Sequence, residues 1–134
     1  MSRSVLYVAN TDTQAVAVGG TLGLGNTIRR FGCASALSST NIVNLDETGY
    51  YDVNVSVVAA PTAAGTVTVS LLNNGVAIPG ATASATVAAA GESVNLSFES
   101  VARVFCNANT GALSIVLEGA ASDVTNVAIV VRKL

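Results

Sequence analysis

Residues 65–81 read GTVTVSLLNNGVAIPGA, and this stretch decides the fold. Val67, Val69 and Leu71 alternate with Thr66, Thr68 and Ser70, the period-two pattern of a strand with one buried face. Asn74-Gly75 is the pair best able to take the positive φ angles of a tight two-residue turn. Beyond it, Val76 and Ile78 resume the apolar face. A loop of Asn74-Gly75 sets Leu71 opposite Ile78, whereas a loop of Asn73-Asn74 sets it opposite Val76. Apolar faces apolar either way, so the hairpin is determined and its register is open. Pro79-Gly80 is expected to end the second strand.

The same pattern recurs on both sides of the hairpin. Val5–Val8 forms a short first strand, stopped by Asn10-Thr11-Asp12. Tyr50–Val58 places Tyr51, Val53, Val55 and Val57 on one face and Tyr50, Asp52, Asn54 and Ser56 on the other. Val94–Phe98, Leu113–Leu117 and Val124–Val131 complete the set, the last two divided by a turn at Gly119–Asp123. Leu96–Cys106 has a weak helical periodicity, but its β-branched and aromatic content favours a strand. Ala81–Ala90 reads either as a flat strand of small residues or as a loop. Turn signals every 8–14 residues define an all-β sandwich or barrel, a single domain over residues 1–134.

Composition narrows the function. The chain is 51% apolar and 10% charged, against roughly 25% charged in an average globular protein. Surface left without charge is expected to be covered by other copies of the chain. The net charge of −2, with no basic run longer than two, excludes a nucleic-acid partner. No apolar run approaches the ~20 residues that span a membrane. MSRSVLYVANTD lacks the apolar segment of a signal peptide, so synthesis and assembly in the cytoplasm are expected. That compartment favours Cys33 and Cys106 as free, buried thiols.

Reactive constellations are missing. There is no histidine, neither cysteine has a CxxC spacing, and the carboxylates are scattered, so no catalytic group, metal site or cofactor is expected. Gly19–Gly25 (GGTLGLG) lacks the Lys-Ser/Thr of a phosphate loop, and its glycines read as loosening a strand or permitting a bulge. Arg29-Arg30 is a basic pair able to clasp an anion or a partner's carboxylate. Enzymatic activity is rejected.

Taken in order, IVNLDETGYYDVNVSVV (residues 42–58), the hairpin, VNLSFESV and the terminal VTNVAIVVRKL resemble the jelly-roll domain of the tumour necrosis factor and complement globular-head superfamily. The likeness is greatest to its bacterial and phage members, including small proteins encoded among phage structural genes. Gly49-Tyr50-Tyr51 stands where that family has its Gly-x-Tyr strand, Asn74-Gly75 at its hairpin, and Val124–Val131 at its last strand. The resemblance is strongest over residues 42–134.

It implies a two-sheet antiparallel jelly roll assembled as a homotrimer, with an inner sheet of the first, third and last strands and one more facing the three-fold axis. Tyr7, Tyr50, Asn54, Ser56, Asn126, Ala128 and Val130 are then the interface candidates. It further implies a structural role in a virion assembled in the host cytoplasm, as a capsid-decoration protein or fibre head partnered by the major capsid or a fibre protein. The alternative is a tip that binds a receptor or host surface glycan.

Overall fold

The computed structural model describes residues 4–104 and 111–134, so Cys106 lies outside the described residues. Eleven strands are present among them: β1 (Val5–Asn10), β2 (Gln14–Val16), β3 (Asn26–Phe31), β4 (Ser35–Ser39), β5 (Ile42–Leu45), β6 (Gly49–Pro61), β7 (Gly65–Asn73), β8 (Val76–Val87), β9 (Val94–Val104), β10 (Gly111–Glu118) and β11 (Ser122–Lys133). One sheet runs β3-β1-β11-β6-β9 with β2 added alongside β11, and the other runs β4-β5-β10-β7-β8. All paired strands are antiparallel. This is a two-sheet antiparallel jelly roll, with six strands in the first sheet and five in the second.

The alternation of Tyr50–Val58 is resolved in favour of Tyr51, Val53, Val55 and Val57, all buried between the sheets. They meet Leu6, Val8, Leu96, Ile129 and Val131 of their own sheet and Val67, Val69, Leu71, Leu113, Ile115 and Leu117 of the other in one apolar core. Among the described residues, Tyr51 is the largest fully buried side chain. Its hydroxyl donates to the Glu47 carbonyl oxygen at 2.6 Å and accepts from the Glu47 amide at 3.1 Å, which fixes the turn leading into β6. Burial pushes its phenol pKa above the ordinary 10, and the nearby Glu47 and Asp46 carboxylates add to the shift.

The hairpin uses Asn74-Gly75 as its loop, with Asn73 paired to Val76 and φ angles of +54° and +81° at the two loop residues. Pro79-Gly80 does not end the strand. The register shifts by a bulge between Ser70 and Leu72, and β8 continues to Val87. Gly80, at φ +83°, supplies the conformation that the bulge requires, so the missing Pro79 donor costs no ladder pairing. Ala81–Val87 is therefore a strand.

The glycine-rich stretch is a connection rather than a strand. It follows β10 through hydrogen bonds of Gly19 and Leu22 to Leu117 and Ile115, and it delivers Leu22 and Leu24 to the core. Gln14 clamps it by accepting from the Gly23 amide and donating to its carbonyl. Cys33 is exposed, contrary to the buried thiol expected, because it sits in the turn between β3 and β4.

Candidate self-association surface

Strand alternation gives each sheet one outward face, and the two faces differ in chemistry. On the β7-β8 side hydroxyls pair across strands: Thr66 with Thr86 at 2.9 Å, Thr68 with Ser84 at 3.2 Å and Ser70 with Thr82 at 3.2 Å. Such pairs satisfy one another and remain hydrated without charge.

The outward face of the β3-β1-β11-β6-β9 sheet collects all seven interface candidates. The registers align them in rows across five strands. One row reads Arg29, Tyr7, Val130, Asn54, Glu99. The next reads Asn26, Ala9, Ala128, Ser56, Ser97, and Asn126 begins a third with Val58 and Asn95. On the other side lies Phe31, Val5, Arg132, Asp52, Val101. Tyr50 stands beyond it, paired with Arg103, whose guanidinium lies 5.5 Å from the ring centre. Because Ala128, Ser56 and Ser97 are small, the middle of the face forms a shallow depression of about 430 Å³, walled by Asn54, Glu99 and Val130.

Exposed apolar side chains gather here as well. Among the described residues, Ile28, Phe31, Tyr50, Val101 and Leu134 belong to this sheet or its end, while Val18 and Val76 lie elsewhere.

Charge is concentrated on the same face. Arg132 donates to the Asp52 carboxylate at 2.5 Å, and that carboxylate is nearly buried. The Glu99 carboxyl hydrogen-bonds that of Asp52, and the bond and the like charge together push its pKa above the ordinary 4.5. Arg132 and a hydrogen bond with Asn54 pull the other way.

Arg29 and Arg30 do not form one anion clasp, since alternation along β3 sends them to opposite faces. Arg29 shares a row with Tyr7, whereas the Arg30 Nε donates to the Ser35 carbonyl oxygen at 3.1 Å and ties β3 to β4. Sequence reasoning missed Glu99, Ser97 and Arg132, although Asn95, Ser97 and Glu99 alternate with Leu96 and Phe98 and so declare the outward set of β9.

No family model matches the sequence, and no curated protein does. Solved structures match the fold. Murine APRIL superposes with a TM-score of 0.72 at 13% identity, over 99% of this chain and 100% of that one. The globular domain of zebrafish complement 1qA gives 0.67 at 10% identity, over 97% and 95%. The PRD1 vertex protein P5 gives 0.57 at 13% identity, over 97% of this chain and 72% of that one. The chain thus has the TNF-like fold, shared with murine APRIL, the complement 1qA globular domain and the PRD1 vertex protein P5.

Proposed function

We propose that this chain is a non-enzymatic structural protein of a phage or prophage virion, a homotrimer that decorates the capsid or forms a small fibre head. The observation that carries the trimer is the inequality of the two outward faces. One is a self-satisfied hydroxyl ladder suited to water. The other gathers aromatic, apolar and paired ionic groups around a depression, as a surface covered in the assembly would. The virion assignment draws support from the likeness to the PRD1 vertex protein P5. A trimer matches a local three-fold axis of a shell or the end of a trimeric fibre. The major capsid protein or a fibre protein is then the heterologous partner.

Light scattering through the micromolar range tests the assembly. A persistent mass of about 40 kDa, three 13.3-kDa chains, supports it, and a stable monomer refutes it. Binding to purified empty capsids, with adsorption to cells unaffected by omission of the protein, supports decoration. Binding to cells or a glycan array by the protein alone assigns it instead to receptor or glycan recognition.

A further inference from the structure

We infer that the two edges of the β3-β1-β11-β6-β9 sheet are complementary halves of one head-to-tail contact, in which Arg29 of one copy pairs with Glu99 of the next and Phe31 packs on Val101. The inference rests on the trimeric reading and specifies its register. β3 and β9 are the two ends of the sheet, four strand spacings or about 19 Å apart. A ring in which every copy makes the same heterologous contact joins two different patches of the protomer, and the two edges of this sheet offer such a pair. If its axis runs along the strands, rotation leaves height unchanged, so groups in one cross-strand row meet at the junction.

Three consecutive rows match at their ends. Phe31 and Val101, 67% and 50% exposed, close one row with an apolar pair. Arg29 and Glu99 close the next with opposite charges. Asn26 and Ser97 close the third with two hydrogen-bonding groups. A shift by one row would set Arg29 against Val101 or Phe31 against Glu99, so chemistry selects one register.

Within a protomer Arg132 is ion-paired with Asp52, and among the described residues Glu99 lies beside that pair without an ion pair of its own. The guanidinium of Arg29 donates to the neighbouring Ile28 carbonyl oxygen at 3.0 Å, which leaves its other donors available across the contact.

Charge reversal tests the pairing: Arg29→Glu, Glu99→Arg and the double variant, followed by sedimentation from micromolar concentrations downward. Each single reversal should raise the protomer concentration at half-dissociation at least tenfold, and the double variant should return it to within about threefold of the parent. Since Glu99→Arg also alters the contact with Asp52, a second measurement is independent of charge. In a Cys33→Ser, Cys106→Ser background, Phe31→Cys with Val101→Cys should oxidise to covalent dimers and closed trimers. A parent trimer that tolerates both single reversals and gives no cross-link overturns the inference and leaves the trimeric reading standing. A parent that sediments as a monomer overturns the trimeric reading itself.

Discussion

Replacing Tyr51 by Phe removes one oxygen atom from the interior and little else. The ring stays, so the core keeps its volume and no cavity opens. What is lost is the hydroxyl that donates to the Glu47 carbonyl at 2.6 Å and accepts from the Glu47 amide at 3.1 Å. The neighbouring Ala34 carbonyl retains the Asp46 amide at 2.7 Å. One net hydrogen bond is worth about 1 kcal/mol, and an amide left without its partner adds about 1 more, so the variant should lose about 2 kcal/mol.

For 134 residues at about 2.1 cal/mol/K each, the unfolding entropy is about 0.28 kcal/mol/K, and the melting temperature should fall by about 7 °C. Scanning calorimetry at fixed protomer concentration measures it. Tyr50→Phe is the control, because that side chain is exposed and its ring stacking with Arg103 survives the change. A Tyr51→Phe variant melting within about 1 °C of the parent would refute the claim that this hydroxyl anchors the turn.

The same residue makes an alkaline prediction. Its folded pKa lies above the ordinary 10, so between the two values the folded chain holds a proton that the unfolded chain has released. Stability should therefore fall as pH rises past 10, and Tyr51→Phe should lack that part of the fall.

Gly119→Ala, at φ +89° with the Thr66 carbonyl oxygen where its Cβ would stand, should cost about 3 kcal/mol, whereas Gly75→Ala, at φ +81° in open space, should cost about 1; equal melting temperatures would contradict this. Ala128→Glu, which fills the central depression with an unpaired carboxylate, should leave the melting curve of the protomer cooperative and reduce the light-scattering mass to 13.3 kDa. Acid should dissolve the trimer. Glu99 faces Asp52 on β6, which pushes its pKa above 4.5 in the lone protomer against the opposing pull of Arg132 on β11, while an incoming Arg29 lowers it. Assembly then releases protons, so the half-dissociation concentration should rise as pH falls toward 4.5, and in Arg29→Gln it should be higher at neutral pH and less dependent on pH.

Much of this architecture is written in the chain at short range. The face of β6 that Tyr51 and Val53 occupy follows from period-two alternation, and the hairpin follows from its turn residues, whereas the choice of Asn74-Gly75 over Asn73-Asn74 as the loop is made only by the pairing of β7 with β8. The path of β8 does not follow, because Pro79-Gly80 has the composition of a stop and becomes a bulge only once β7 lies beside it. β3 is hidden for a different reason: its six residues are all exposed, so no buried face betrays it. The rows that bring Arg29 and Glu99 to opposite ends of one line depend on four registers in series and on a bulge between Tyr7 and Val8. One slip anywhere would break the line, and no local pattern fixes all four.

The scarcity of charge has a sharper meaning once its location is known. Arg29, Arg30, Asp52, Glu99, Arg103, Asp123, Arg132 and Lys133 lie on strands of the sheet proposed to face the axis, and the strands of the other sheet carry Glu118 alone. A protein that used charge to stay hydrated would place it the other way round. Here hydroxyl ladders hydrate the other sheet, and Arg29, Asp52, Glu99, Arg103 and Arg132 sit on the face where copies would meet. Ion pairs in such a place contribute little net affinity against apolar packing, but a mismatched pair is costly, so they discriminate between registers. On that view Phe31, Val101 and the small residues of the depression supply the attraction between copies, and Arg29 and Glu99 decide how the copies align.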